Sequence, residues 1–367
     1  MSSNLVKIAI HKIFKILFPN EFNDRLLIQQ RRLFHGQQAE QRKIAIYLIF
    51  PKNGALESHL LALKSMIENG YAPFIVSNLP LGELDLQKLR PLAWQIMERY
   101  NFGYDFGGYR EAVLWLASRL SKLDQLVLMN DSTWFPLPGA MNWLAEAEAL
   151  RVDMAGALGT GHAGRCKAHQ YMTTAWRFEP PHRNFHYGSF ALSVAAPMLC
   201  NPEFLRFWKK LRLSQVKFQT IKRGEFGFTQ WVRASGHSHG STTDMARLDL
   251  FLAEMTEKHL RKIFEQLVIA QDDKAQAVLD KLVVHPGLDQ LSRQQMESFI
   301  HMAVMRRGTS LALPRFLIEE HKFAFLKRFA ATPGHPHAAS MANLINDLQE
   351  PMRSLALEES GLKTPNL

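Results

Sequence analysis

Residues 43–50, KIAIYLIF, form a short apolar, β-branched run that predicts a buried strand. Over residues 55–69, Leu56, Leu60, Leu63 and Ile67 share one helical face, and Asn69-Gly70 supplies the stop. FIVSN (74–78) reads as a second strand and WQIMERY (94–100) as a weaker third. Tyr109, Val113, Leu116 and Leu120 fall in helical register over 108–120. QLVLMND (125–131) is a strand that ends in polar residues. A helix over 138–150, the strands DMAGAL (153–158) and GSFALSV (188–194), and the helix PEFLRFWKKL (202–211) continue the alternation. Strand alternating with helix predicts right-handed crossovers and an α/β fold on a mainly parallel, Rossmann-type sheet. In such sheets ligands bind beyond the carboxyl ends of the strands, which is where chemistry is expected.

On either side of this pattern the chain reads differently. After about residue 246 strand signals vanish, and 247–283, 289–306, 311–331 and 338–357 read as helices. Near the start, NLVKIAIHKIFKILF (4–18) places Lys7, Lys12 and Lys15 as a basic stripe on an apolar helix that Pro19 ends. Such a helix can lie in an anionic membrane interface or pack on the protein's own core, since both need the same periodicity. Residues 20–42 read as a polar linker with some helix. The expected organisation is therefore 1–42, an amphipathic basic helix and linker; 43–245, an α/β domain; and 246–367, a helical region.

The 367 residues carry 44 basic and 34 acidic side chains, a formal charge of +10, which points to an anionic partner. The basic pairs Lys209-Lys210, Lys222-Arg223 and Arg306-Arg307 read as solvated faces, and with no dense basic run a nucleic-acid partner is not expected. A 47% hydrophobic share excludes a mainly disordered chain, and two cysteines, Cys166 and Cys200, exclude a disulfide scaffold. These thiols fit a cytoplasmic protein.

Two polar clusters sit where the sheet rule places a site. Asn101-Phe102-Gly103-Tyr104-Asp105-Phe106-Gly107-Gly108-Tyr109-Arg110 follows a strand and opens a helix. Gly103, Gly107 and Gly108 can let backbone approach a ligand, Asp105 can accept from a base or ribose, and Arg110 can pair with phosphate. A tight turn with an Asp cap fits the same spacing. In the second cluster, Asn130-Asp131-Ser132, a carboxylate at a strand tip can hold a divalent ion bridging a diphosphate, or simply cap a turn. Glu225, between Gly224 and Gly227, can be a general base or a helix-start charge. Gly159–Cys166 nearly fits a P-loop, but Arg165 and Cys166 stand at the Lys and Ser/Thr positions, so 159–187 reads as a mobile loop. The pairs His182/His186, His237/His239 and His335/His337 lack a carboxylate at a zinc-like spacing.

Taken together, YNFGYDFGGYREAV, LVLMNDS, HYGSFALSV and GEFGFTQWVRASG, with KFAFLKR (322–328) near the end, resemble the rhamnan synthesis F family of bacterial glycosyltransferases. The chain departs from the family pattern at Gly224 and Gly188. The resemblance implies a GT-A-like sheet, a nucleotide-sugar donor, a glycan or lipid-linked acceptor, and work on cell-surface polysaccharide or lipopolysaccharide at the cytoplasmic face of the membrane. On that reading Asn101, Gly103, Asp105, Gly107, Gly108, Arg110, Asn130 and Ser132 bind the nucleotide sugar. Asp131 holds Mn²⁺ or Mg²⁺, and Glu225 is the base. The alternative is an assembly protein that keeps the fold and only binds a sugar nucleotide or a partner.

Overall fold

The structure, a computed structural model, describes residues 30–160, 166–269 and 272–362. The amphipathic segment 4–18 and Arg165 lie outside the described residues. The chain forms two compact units, each drawn from two stretches: residues up to Asp131 with Ser193–Ser238, and Ser132–Leu192 with His239 onward.

The first unit holds β1 (Arg32–His35), β2 (Lys43–Ile49), β3 (Ala72–Ser77), β4 (Gln95–Glu98) and β5 (Gln125–Asn130) in the order β1-β4-β3-β2-β5. All neighbours are parallel except β1, which adds an antiparallel edge to β4. Every residue of β3, β4 and β5 is buried. Covering both faces of a parallel strand explains why these runs read as continuously apolar. The expected α/β class with a mainly parallel sheet is what this chain has. β1 replaces part of the expected linker. It is mostly exposed and held at its end by Arg32, whose guanidinium pairs with Glu98, so it carries no apolar alternation to read. The helix Glu83–Leu89 also lacked a signal, being only seven residues long.

The helix Glu57–Glu68 forms as expected, but rotated: Ser58, His59, Ala62, Leu63 and Met66 face the core, not Leu56, Leu60 and Ile67. The helix expected at 108–120 spans Tyr104–Trp115, so Asp105–Gly108 lie inside its first turns.

The second unit contains β6 (Thr133–Trp134), β7 (Met154–Thr160) and β8 (His186–Tyr187). β9 (Ala191–Ala195) runs across the division in the chain, and β10 (His239–Thr243) and β11 (Leu326–Lys327) follow. β7 pairs with β10 in parallel and with β8 antiparallel, while β6 pairs antiparallel with β11. β11, only two residues long, therefore corrects the expectation that strands vanish after about residue 246, while β10 lies before that point and is a polar run, HGSTT, with no apolar signal to read. The segment 159–187, expected as a loop, contains the end of β7, a 3-10 stretch Ala168–Thr173 and β8. Among the described residues the longest helix is Arg293–Arg307. No helix among the described residues is long and apolar enough to cross a membrane.

The second unit also buries imidazoles. Burial lowers the pKa of His186, His301, His321 and His337 below the ordinary histidine value. Their neutral forms belong to the native state, so the unfolded chain binds more protons once pH drops below about 6.5. The stability they contribute is intact above that pH and is lost as pH falls toward the depressed native values. His186, 9% exposed, should cost up to about 1.4 kcal/mol per pH unit over that window. Melting temperature should therefore fall from pH 7.5 to pH 5.5, and less steeply in His186→Gln. A flat profile in calorimetry would refute this.

Candidate active site

The site is built at the carboxyl ends of β2 and β5. Leu48 of β2 stands opposite Asn130 of β5, and the Asp131 N–H donates to the Leu48 carbonyl at 3.0 Å. The Asp131 side chain then turns back across the strand ends. Its Oδ2 accepts the Phe50 N–H at 2.6 Å, and the side chain remains 20% exposed. The carboxylate is thus fixed through one oxygen by the backbone of the neighbouring strand.

A histidine that the sequence reading did not single out faces the same oxygen. His59, fully buried, accepts the Leu56 N–H on Nδ1 at 3.1 Å. A neutral ring that accepts on Nδ1 carries its proton on Nε2. Nε2 lies 3.4 Å from Asp131 Oδ2, a close approach without a hydrogen bond, and has no hydrogen-bond partner among the described residues. The only sequence signal was a polar residue at a position that the true helical phase buries.

The helix Tyr104–Trp115 brings the glycine-rich cluster to these strand ends. Gly103 starts it at φ +80°, a conformation glycine adopts without strain. Gly107 and Gly108 were expected to admit a ligand, but both are buried in contacts of the fold. A Cβ at Gly107 would meet the Phe102 carbonyl at 2.0 Å, and one at Gly108 would meet Leu48 at 2.5 Å. Their role in the structure is close packing of this helix on the preceding turn and on β2. Arg110 is likewise corrected: it is 3% exposed and donates to the Trp208 and Lys209 carbonyls at 2.8 and 3.2 Å. It serves the last turn of the helix Pro202–Lys210, whose carbonyls need partners. Arg99, fully buried, braces the turn by donating to Glu111 at 2.6 Å and to the Phe102 carbonyl at 2.8 Å. Asn101 is exposed, and its carbonyl accepts from Gln215 at 2.9 Å.

Asp105 is half-buried, with Oδ1 accepting the Phe106 N–H at 2.9 Å. One turn further on, Tyr109 is fully buried and bonds to the Asn130 side chain. Its hydroxyl pKa is pushed well above the ordinary value, first by burial and then by the charges of Asp105, Glu225 and Asp131, against the Asn130 bond. Three carboxylates from separate parts of the chain therefore act on one buried phenol, which stays protonated.

Glu225 does not begin a helix. It lies in a π turn, Lys222–Phe226, joining Lys217–Ile221 to Gly227–Ala234 without a break. Such turns recur at functional sites because the extra residue re-aims a side chain. Gly224 lets the turn sit on the Phe106 ring, where a Cβ would come within 2.4 Å. Phe106 in turn stacks on Trp208 at 5.8 Å. Glu225 is thereby packed on the helix that carries Asp105.

Ser132 belongs to the second unit, where its Oγ accepts from Lys327 Nζ at 3.1 Å and its carbonyl accepts the Arg328 N–H at 3.1 Å. Lys327 also lies 4.1 Å from the centre of the Phe190 ring, and Arg328 lies 4.8 Å from that of Trp134. The segment KFAFLKR and the residues after Asp131 thus pair as β11 and β6. Among the paired histidines, His237 contacts Asn201 at 3.2 Å and His239 contacts the Tyr187 hydroxyl at 2.7 Å. Among the described residues no three His, Cys, Asp or Glu side chains form a metal-holding group. Asp131 therefore offers a divalent ion one carboxylate, a donor set that suffices for Mg²⁺ or Mn²⁺ when water and phosphate oxygens complete the shell.

The family model for rhamnan synthesis protein F matches residues 74–273, more than half of the chain and the stretch that carries Asp105, Asp131 and Glu225. The chain belongs to the rhamnan synthesis protein F family. Over 213 residues, 58% of its length, this member is 28% identical to the uncharacterized protein y4gN of Sinorhizobium fredii. The match covers 51% of y4gN, so the chain spans about half the length of that curated relative. Among solved structures, it is similar to a mannosyltransferase from Pyrobaculum calidifontis in complex with GDP-Man and Mn²⁺, at 12% identity and TM-score 0.33, covering 98% of this chain and 90% of that one. It is also similar to the mannosyltransferase Ktr4p of S. cerevisiae, at 9% identity and TM-score 0.28, over 53% of this chain and 65% of that one. Likeness at these scores carries no argument about chemistry.

Proposed function

We propose that the chain is a glycosyltransferase that moves a sugar from a nucleotide-sugar donor to a growing cell-surface glycan or lipid-linked acceptor, with rhamnose the sugar the family label suggests. The observation that carries this reading is the Asp131 carboxylate held at the ends of β2 and β5 by the Phe50 N–H, with the Asp105 helix packed on β2 through Gly108 and the Glu225 turn packed on Phe106 of that helix. Membership of a polysaccharide-synthesis family supports it. Asp105, with the Asn101–Gly103 turn, contacts the nucleotide. Asp131 would hold a divalent ion, which would supply positive charge for the leaving diphosphate. Asn130, on the donor side, is kept in place through Tyr109. Glu225 takes the proton of the acceptor hydroxyl in an inverting transfer. The work is done at the cytoplasmic face of the membrane, with residues 4–18 as one anionic-lipid contact. Thermal shift against a panel of nucleotide sugars, with and without Mn²⁺, followed by assay of donor turnover, tests the reading. A metal-dependent shift with one donor and release of its nucleotide is the expected result; binding without turnover would leave an assembly protein that only holds the donor.

Asp131 can serve a metal only if its second oxygen is aimed correctly, and His59 is placed to aim it. His59→Leu should raise the Mn²⁺ concentration for half-maximal donor stabilisation about 10- to 100-fold, the usual scale when a partner of a metal ligand is lost. His59→Gln, which retains a donor group, should recover part of it. Calorimetry with Mn²⁺ and donor measures this; equal metal requirement in the folded Leu variant would assign His59 to packing alone.

A further inference from the structure

The two basic pairs that read as separate solvated faces frame one surface of the first unit. Residues 209–223, KKLRLSQVKFQTIKR, contain Lys209, Lys210, Arg212, Lys217, Lys222 and Arg223, all exposed, and no acidic residue. Between them two apolar side chains point to solvent: Val216 is 55% and Phe218 71% exposed, the latter the most exposed aromatic among the described residues.

This exposure is built in by local bonds. Ser214 Oγ accepts the Val216 N–H at 3.1 Å and donates to Gln219 at 3.0 Å, and Thr220 Oγ1 donates to the Ser214 carbonyl at 2.7 Å. These bonds close a turn that holds Val216 and Phe218 outward. The turn is fastened to the glycine-rich cluster: Tyr104 donates to the Gln215 carbonyl at 2.9 Å, and Gln215 donates to Asn101 at the same distance. Tyr104 and Tyr100, 38% and 55% exposed, lie on that same turn.

We propose that residues 209–223 dock on an anionic lipid bilayer, with Val216 and Phe218 entering the headgroup boundary and the surrounding lysines and arginines held at the phosphates. Charge complementarity and an apolar tip are the two terms of interfacial binding. The tip is what favours a bilayer over nucleic acid, which would reward the basic residues but leave Val216, an aliphatic side chain, with no base to stack on. The proposal deepens the glycosyltransferase reading, for it would hold the turn bearing Asn101 and Asp105 close to lipid-linked acceptors. It is tested without any sugar transfer, so the two can fail separately.

Full chain should sediment with phosphatidylcholine vesicles containing phosphatidylglycerol and not with phosphatidylcholine alone. Lys209→Glu, Lys210→Glu and Lys217→Glu together should lower the partition coefficient by at least about 100-fold, roughly fivefold per lysine. Val216→Ser with Phe218→Ser should lower it at least about tenfold, with an unchanged melting temperature. Because residues 4–18 add their own affinity, a local probe separates the two contacts: a fluorophore on Phe218→Cys, in a Cys166→Ala, Cys200→Ser background, should shift to the blue and escape an aqueous quencher on anionic vesicles. Unchanged partition in either variant set, or a label that stays in water while the protein is bound, would overturn the proposal. So would tighter binding to single-stranded RNA than to anionic vesicles at equal phosphate concentration.

Discussion

Asp131→Asn should abolish Mn²⁺-dependent donor binding while the protein stays folded. Asparagine retains an oxygen to accept the Phe50 N–H, which Asp131 holds at 2.6 Å, and removes only the charge. Asp131→Ala is the less clean variant, because it strips the acceptor from a backbone donor at the strand ends and should cost about 1–3 kcal/mol. A strand-tip carboxylate looks dispensable to the fold in the sequence, but this one bridges two strands. For a site with one metal-binding carboxylate, loss of that charge should weaken donor binding by at least about 100-fold in the presence of Mn²⁺, on the scale of losing one stabilising group at a developing charge. Without metal, the variant and the original chain should bind the donor alike. Calorimetric titration of donor, with and without Mn²⁺, measures both. Metal-dependent affinity that survives in folded Asp131→Asn would remove Asp131 from the metal role and leave it as a hydrogen-bonded cap between β2 and β5.

The parts of the fold legible in the sequence are those whose physics is local. β2, β3 and β5 are buried on both faces, so their sequences are continuous apolar runs. β1 and β10 are partly exposed and polar, and they become strands only because β4 and β7 offer them an edge. The phase of Glu57–Glu68 was misread because the apolar residues Leu60 and Ile67 are only half-buried, while the polar Ser58 and His59 are buried. That inversion is what hides His59, whose neighbour Asp131 lies far along the chain. An arginine beside a glycine-rich turn can pair with phosphate, and nothing local in the sequence tells Arg110 apart from one that does. Its carbonyl partners at Trp208 and Lys209 arrive about a hundred residues later. The glycines around Glu225 look like a helix boundary, yet the helix runs through them because Phe106 occupies the space a side chain at Gly224 would need. In each case the missing information is a partner distant in sequence, and composition or periodicity carries no record of it.

Glu225→Gln should cut transfer by roughly 100-fold or more, the usual scale for losing a general base, while donor affinity stays within a few fold. An inverting transfer needs a carboxylate beside the acceptor hydroxyl to take its proton as the bond to the sugar forms. Glu225 lies in the π turn Lys222–Phe226, and its charge is among those that raise the Tyr109 hydroxyl pKa. Glutamine preserves the shape of the side chain and its capacity to hydrogen-bond, so the packing of Gly224 on Phe106 is undisturbed and the loss is one of basicity alone. Asp131→Asn and Glu225→Gln should therefore separate: the first loses donor binding, the second loses turnover with donor still bound. Single-turnover transfer with preloaded donor distinguishes them, since a base variant stays slow even when saturated. Near-original turnover in Glu225→Gln would reassign Glu225 to a charge within the π turn. The proton would then go to Asp105, another carboxylate acting on Tyr109, or the transfer would retain configuration and call for no such base.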